Sequence, residues 1–263
     1  MQTRHTTGYA IVASTASRSC LSFCMHRLLV DTLELDSDSP ALSKAALNHL
    51  KVLRPKDGEK IELFDGAGRS REFSFKDGAL SPVGSVLLSS RPAPLTLFAC
   101  VTKGSRWDWT VEKSTELGAT RIVPVISERT IVRIPADERE AKRARWMRIS
   151  EDAARQSDAK WLPEVLAPVD FAASLALVRE TTCFVGALTT PQPKLLLRAL
   201  LDAAKPFGNL SLYIGPEGDF TPAELSALCE IATPVTFGAS VLRAETAAIY
   251  GLSVLKSFLE AGV

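Results

Sequence analysis

The sequence has little histidine, and this shortage excludes several kinds of chemistry. Its three histidines are His5, His26 and His49, so the 214 residues that follow contain none. A catalytic site in that part must work without an imidazole from its own domain. This disfavours Ser-His-Asp hydrolysis and His-ligated metal chemistry there. We therefore expect no metal site.

Cysteine and long apolar runs are also scarce. No two of the five cysteines form a CxxC pair, which argues against a zinc ribbon, a thioredoxin-like site or a disulfide framework. The cysteines are therefore expected to be reduced, which predicts a cytoplasmic protein. Three of them, Cys100, Cys183 and Cys229, lie in apolar runs and are predicted to be core residues. No apolar run reaches the roughly 18 residues of a membrane-spanning helix, so we expect no membrane association.

What the chain does have is a globular composition with an uneven charge distribution. It has 263 residues, 46% of them hydrophobic, and a formal net charge of +1. Residues Lys103 to Arg148 contain eleven Lys or Arg against seven Asp or Glu, whereas Pro206 to Val263 contain two against six. A basic middle could face a polyanion. A solvated helix face would explain the same composition equally well.

The first part of the chain divides into an extension and a small β domain. Residues 1–24 contain no acidic side chain and are predicted to be a disordered or leader extension. Residues 25–90 are mostly β in pattern, with a hairpin from the alternating Lys60–Phe64 to the strand that ends at Phe75. A short helix between Ser43 and Arg54 is predicted before it. These features indicate a small β-barrel domain.

After a Pro-rich linker at 91–94 the pattern changes to strand, helix, strand. Leu95–Val101 is a continuous apolar run of the kind that is buried in a parallel sheet. Ser105 and Asp108 have capping-box spacing, which predicts a helix start, and Gly118 predicts its end. Residues 95–263 are therefore predicted to be an α/β domain. Its further predicted elements are a strand at Arg121–Ile126, a charged helix at Ala136–Gln156, and strands at Cys183–Leu188, Leu210–Ile214 and Val235–Phe237.

The most informative segment is the loop Gly215-Pro216-Glu217-Gly218. It follows a buried strand and precedes a helix that Thr221 caps, with Pro222 and Glu224 at the favoured positions. Ligands of α/β sheets lie beyond the carboxyl ends of the strands, so this loop is predicted to face a site. An ordinary βα turn is the alternative. A nucleotide-dependent enzyme also stays open, although the loop has no phosphate-binding lysine.

A second segment places charges where a strand, a loop and the final helix meet. Arg243 and Glu245 follow the strand that ends near Phe237, and the helix is predicted to begin around Ala244. The two charges are either a surface ion pair, worth under about 1 kcal/mol, or functional groups.

Together these segments resemble a known family. GPEGDFTPAE followed by FGASVLRAETAAI is similar to the C-terminal signature of the ribosomal small subunit methyltransferase E family, in the SPOUT class of knotted methyltransferases. Residues 48–54 and 61–66 are similar to its N-terminal RNA-binding domain, which is PUA-like. Residues 113–118, 127–129 and 153–164 are similar to its middle motifs. The resemblance covers about residues 25–262 in collinear order.

The resemblance implies an enzyme that transfers a methyl group from S-adenosylmethionine to N3 of a uridine in 16S ribosomal RNA. It implies a knotted C-terminal domain, a cytoplasmic homodimer, and 16S rRNA or the small ribosomal subunit as partner. Arg243 is the candidate catalytic residue, stabilising negative charge on the uracil. The candidate cofactor-binding residues are Leu188, Gly215, Pro216, Glu217, Gly218, Phe237, Gly238, Val241, Leu242 and Thr246. The candidate RNA-binding residues are Lys51, Arg54, Lys113, Arg129, Gln156 and Lys160.

The chain departs from the family pattern at three places. Asp219 stands where a second loop glycine is expected, and Ser240 stands where an arginine is expected. The basic residue expected after Gln156-Ser157 is matched by Lys160, which is shifted along by Asp158 and Ala159. These changes concern RNA contacts more than cofactor binding, and they keep open an RNA-binding protein that has the fold without the activity. Glu217 and Glu245 are both candidates for accepting the N3 proton, although the favoured role of each is to cap a helix or to hold an arginine in place.

Overall fold

Two β-sheets organise the chain. The computed structural model describes residues 25–178, 181–188, 193–203 and 208–261, so the extension predicted for residues 1–24 lies outside the described residues. One sheet has four strands and the other has eight. No helix of the described part is long and apolar enough to cross a membrane, and no group of three potential metal ligands occurs there.

The first sheet confirms the predicted hairpin. Its strands lie in the order β1-β2-β3-β4, with β1 parallel to β2 and the other pairs antiparallel. In the hairpin, Lys60 lies opposite Ser74 and Phe64 lies opposite Ser70. The strands are β1 (His26–Leu29), β2 (Lys60–Phe64), β3 (Arg69–Lys76) and β4 (Ala79–Leu88).

The predicted helix of this unit is present as α1 (Lys44–Leu53). The Ser43 hydroxyl caps it by accepting from Ala46 N at 3.1 Å. A core that includes Leu28, Leu50 and Phe73 fills the space between the sheet and this helix. The closed barrel is not confirmed, because the edge strands β1 and β4 do not pair and the sheet stays open on these described residues.

The second sheet confirms the α/β prediction. Its order is β10-β12-β9-β11-β5-β6-β7, with β8 beside β6, and its pairings are parallel. Its strands are β5 (Leu95–Cys100), β6 (Arg121–Ile126), β7 (Glu164–Val165), β8 (Val169–Asp170), β9 (Thr182–Gly186), β10 (Lys194–Leu195), β11 (Leu210–Ile214) and β12 (Thr233–Thr236).

Helices cover both faces of this sheet, as a parallel sheet requires. One core contains Trp107, Trp146 and Leu252, and the other contains Tyr213 and Leu228. The helices are α2 (Ser105–Glu116), α3 (Arg139–Gln156), α4 (Phe171–Leu175), α5 (Leu196–Asp202), α6 (Pro222–Cys229) and α7 (Ala244–Glu260).

Two local predictions for this part are wrong. Ser105 does not cap α2: the capping position is Gly104, at φ +66°, and no side chain caps the helix. The chain enters the helix one residue early because glycine allows that backbone conformation. The first turn of the predicted Ala136–Gln156 helix is a separate 3₁₀ turn, Ala136–Glu138.

The cysteine predictions are confirmed at two positions and wrong at one. Cys100 and Cys183 are buried, and burial raises their pKa to about 12 and about 11, respectively. Cys229 is exposed instead, because it is the last residue of α6 and lies beyond the face that packs on the sheet.

A buried ion cluster joins the two sheets. The Arg27 guanidinium donates to Glu62 Oε2 at 2.5 Å and to the Ala154 carbonyl at 2.6 Å. The Lys160 ammonium donates to both Glu62 oxygens at 2.5 and 2.7 Å. Side chains on β1, on β2 and after α3 therefore share one charged centre.

Candidate active site

A cavity of about 440 Å³ lies beyond the carboxyl ends of β9, β11 and β12. This is the edge at which α/β sheets bind ligands, and the volume is within the range of small-molecule sites. Gly215 and Arg243 both line it, so the two segments singled out in the sequence share one hollow.

The loop after β11 is tightly folded against this cavity. A Cβ placed on Gly215 would lie 3.2 Å from the Phe220 ring and 3.3 Å from Asp219 Oδ1, so this position has little room for a side chain. Asp219 has a left-handed backbone, φ +57°, and its Oδ1 accepts from Phe220 N at 2.8 Å. Its other oxygen, Oδ2, is buried without a hydrogen-bond partner among the described residues.

The helix after this loop begins as the sequence predicts. The Thr221 hydroxyl accepts from Glu224 N at 3.3 Å, and Glu224 Oε2 accepts from Thr221 N at 3.0 Å, which completes a capping box. Glu224 Oε1 also accepts from Glu128 N at 2.9 Å. The loop is therefore anchored to the end of β6 as well as to its own helix.

Two arginines from outside the loop hold it in place. Arg129 donates to the carbonyls of Gly218 at 3.0 Å and Phe220 at 3.4 Å. Arg106, in the first turn of α2, pairs with Glu217 at 3.3 Å. Glu217 therefore holds an arginine in place, as considered from the sequence, and that arginine is Arg106 rather than Arg243.

The segment between β12 and α7 forms the opposite wall. Phe237 packs edge-on against Tyr250, with 5.7 Å between the ring centroids. A Cβ on Gly186 would lie 2.8 Å from the Phe237 ring, so the end of β9 and this wall are in close contact. Val241 is 75% exposed, which leaves an apolar side chain at the rim.

Arg243 is free for a ligand. It is the capping residue of α7, and its guanidinium has no hydrogen-bond or ion-pair partner among the described residues. Glu245 is buried in the first turn of α7, and its Oε2 has no partner in the described chain. The surface ion pair considered for Arg243 and Glu245 is therefore not formed.

The predicted cofactor residues mostly line this cavity. Gly218 and Thr246 are the two that do not, since Gly218 faces Arg129 and Thr246 is exposed in the first turn of α7. The eight that do are Leu188, Gly215, Pro216, Glu217, Phe237, Gly238, Val241 and Leu242. Sequence reasoning missed several other lining residues, among them Gly186 and Pro193. Asp219 and Ser240, whose departures from the family pattern were expected to concern RNA contacts more than the cofactor, also line this cavity. Only the end of a buried strand marks Gly186, and no local signal marks Pro193.

None of the six predicted RNA-binding residues lines this cavity. Lys51, Arg54 and Gln156 are exposed at helix ends. The Lys113 ammonium pairs with Glu112 at 2.8 Å and Glu116 at 2.7 Å, and these hydrogen bonds raise its pKa. Arg129 and Lys160 already have the partners described above. An RNA role for the six stays a prediction.

Comparisons with known proteins show which family this chain belongs to. The sequence model of a family described as "RNA methyltransferase domain" matches residues 89–256. The ribosomal RNA small subunit methyltransferase E of a Synechocystis species is 32% identical over 250 residues, which cover 92% of this chain and 81% of that protein.

Solved structures give the same result. The Neisseria gonorrhoeae ribosomal RNA small subunit methyltransferase E bound to S-adenosyl methionine is 29% identical and has a TM-score of 0.76, covering 89% of this chain and 98% of that one. A Legionella pneumophila methyltransferase in complex with bound SAM has a TM-score of 0.75 at 29% identity, with the same two coverages.

Fold and site thus define an RNA methyltransferase, since the matched domain contains the whole of the cavity's lining. More particularly, the chain belongs to the ribosomal RNA small subunit methyltransferase E family.

Proposed function

We propose that this chain methylates N3 of a uridine in 16S ribosomal RNA, with S-adenosylmethionine as methyl donor. The observation that carries the proposal is the single cavity lined by Gly215, by the 237–242 segment and by Arg243. Membership of the family supports the reaction and the substrate class. Solved relatives bound to S-adenosyl methionine support the donor.

The lining has the chemistry that this donor requires. Its walls are largely apolar, and Gly215 and Gly238 line it without adding a side chain. The buried, unpartnered Asp219 Oδ2 adds an anionic acceptor for a ligand that carries positive charge and amino and hydroxyl donors. When bound, S-adenosylmethionine supplies an electrophilic methyl group on a sulfonium. Leu188, Pro216 and Leu242 would hold and orient it.

Arg243 has the electrostatic role in this proposal. Uridine N3 must lose a proton before it can attack, so negative charge develops on the uracil carbonyls. An arginine without other partners at the cavity can stabilise that charge from a prearranged position. Of the two carboxylates considered as proton acceptors, Glu217 lines the cavity and Glu245 does not.

The remaining features of the proposal concern the whole protein. We propose that residues 25–90 act as a PUA-like RNA-binding unit, that residues 95–263 form a SPOUT-type knot, and that the protein is a cytoplasmic homodimer. Leu188, Val241 and Tyr250 are exposed around the cavity at 61%, 75% and 41%, which supports coverage by a second subunit. Light scattering in solution tests the dimer.

A methyl-mapping experiment tests the activity. The protein is incubated with methyl-labelled S-adenosylmethionine and small ribosomal subunits that lack the modification, and with free 16S rRNA in parallel. We expect label on one uridine, at N3. RNA binding without transfer would favour the non-catalytic protein. Calorimetric binding of ATP or NAD in place of S-adenosylmethionine would favour the nucleotide-dependent enzyme.

A further inference from the structure

A second cavity, of about 270 Å³, lies at the carboxyl end of β5 and the start of α2. Its polar lining comes from the β5–α2 connection, from the first turn of α2 and from α3. Apolar side chains, including Val132 and Trp146, form the rest of the wall. The polar lining residues are Thr102, Gly104, Ser105, Trp107, Asp108, Lys142 and Arg145.

Two buried polar groups of this cavity have no partner. Thr102 is 3% exposed and Trp107 is 2% exposed. Neither Thr102 Oγ1 nor Trp107 Nε1 makes a hydrogen bond to any residue that the structure describes. Buried polar groups are nearly always hydrogen-bonded, because leaving one unpaired costs free energy. A ligand with acceptor atoms would satisfy both groups.

The start of α2 adds donors directed at the same space. This 12-residue helix begins after Gly104, and no side chain in the described part of the protein caps its first turn. Free N–H groups and the helix dipole favour an anion at such an end.

The charged side chains of the cavity also favour an anion. Lys142 has no ion-pair partner within the described ranges, whereas Arg145 pairs with Asp108 at 2.5 Å. Among the described residues of the lining, Asp108 is the only carboxylate, and Arg145 already neutralises its charge. The available groups are therefore hydrogen-bond donors and the positive charge of Lys142.

We propose that this cavity binds a phosphate group of the substrate RNA backbone; this rests on the proposed function. Its volume of about 270 Å³ is enough for a phosphate and part of its ribose. Arg106, in the same helix turn, pairs with Glu217 of the loop that lines the first cavity. A phosphate held here is thus close to the methylation site.

RNA-binding measurements on two variants test the site. Lys142→Ala removes the free charge, and Thr102→Val removes the buried hydroxyl at nearly constant shape. Affinity for 16S rRNA is measured by filter binding at several salt concentrations, and affinity for S-adenosylmethionine is measured by calorimetry. We expect Lys142→Ala to weaken RNA binding about tenfold and to lower the salt slope by about 0.7 to 0.9, the value for one phosphate contact. We expect Thr102→Val to weaken RNA binding several-fold with an unchanged slope.

Arg148→Ala is the matched control, because Arg148 is exposed on the same helix but does not line the cavity. An equal loss of slope in Arg148→Ala and Lys142→Ala would show diffuse attraction and would overturn the site. Affinity for S-adenosylmethionine and the thermal unfolding midpoint should be unchanged in Lys142→Ala, which shows that the variant is folded.

Further outcomes distinguish the phosphate site from the proposed methyl transfer, and a phosphate of the RNA backbone from free inorganic phosphate. Methyl transfer by the wild type with unchanged RNA affinity in both variants would overturn the site and leave the activity standing. If the two variants lose RNA affinity as expected but the wild type transfers no methyl group, the phosphate site is supported and the proposed activity is overturned. Binding of inorganic phosphate is measured to wild type and to Lys142→Ala. If phosphate binds wild type but not Lys142→Ala, and neither Lys142→Ala nor Thr102→Val changes RNA affinity, the site binds free phosphate and the RNA proposal is overturned.

Discussion

The two glycines of the loop after β11 differ in how much space surrounds them. A Cβ on Gly215 would approach Phe220 and Asp219 to 3.2 and 3.3 Å, closer than most contacts of real Cβ atoms, whereas a Cβ on Gly218 would meet Arg129 at an ordinary 3.7 Å. Gly215 also lines the cavity, and Gly218 does not. We therefore expect Gly215→Ala to weaken S-adenosylmethionine binding at least tenfold in calorimetry. Gly218→Ala is the control and should bind within twofold of wild type; equal losses would contradict this account.

Also at the scale of single residues, Arg243 is expected to affect the rate of methyl transfer and not the affinity for S-adenosylmethionine. Its guanidinium has no described partner that would be lost on truncation, so Arg243→Ala should leave the fold and the affinity for S-adenosylmethionine nearly unchanged. Removing one preorganised donor to a developing anion costs about 10²–10³ in kcat. We expect a loss of that size in single-turnover methyl transfer. Turnover near the wild-type rate would reject the electrostatic role.

At the scale of elements, the capping box of α6 supports the cofactor loop. Removing the Thr221 hydroxyl should cost about 1 kcal/mol of stability, because Glu224 N then loses its cap. Thr221→Ala should therefore lower the free energy of unfolding in urea by about this amount, while Thr221→Ser keeps the hydroxyl and should lower it by less than half as much. If both variants lose the same stability, the methyl group and not the hydroxyl is responsible.

Elements could be predicted from the sequence where their signals are local. Thr221, Pro222 and Glu224 define a helix start within four residues, and that start is confirmed. The predicted start of α2 is wrong because Gly104, which carries no capping side chain, takes the capping position through its positive φ. Pro193 was missed for a different reason: it reaches the cavity only because β10 lies beside β12, an order that no single segment encodes.

At the scale of the whole molecule, the ion cluster around Glu62 ties the two sheets together. Arg27 and Glu62 have side chains only 5% and 6% exposed, so removing one leaves the other poorly solvated. Breaking a buried pair costs about 3–5 kcal/mol, and the remaining bond from Lys160 places the expected loss at the lower end. Arg27→Met should therefore lower the free energy of unfolding by about 3 kcal/mol.

Chemical unfolding followed by two probes measures this coupling. Trp107, Trp109 and Trp146 lie on helices of the second unit, whereas Trp161 contacts the hairpin turn of the first sheet at Gly68. Fluorescence read in a Trp161→Phe background therefore reports the second unit, whereas far-ultraviolet circular dichroism reports both. We expect coincident transitions in wild type and separated ones in Arg27→Met, since the first sheet then loses its buried charged contact and keeps the backbone hydrogen bonds of the hairpin turn, such as Gly68 N to the Lys160 carbonyl. Lys60→Met is the matched control: Lys60 is 57% exposed in its pair with Glu72, and exposed pairs contribute about 1 kcal/mol or less. Should Arg27→Met behave like Lys60→Met, the cluster would not be what couples the two sheets.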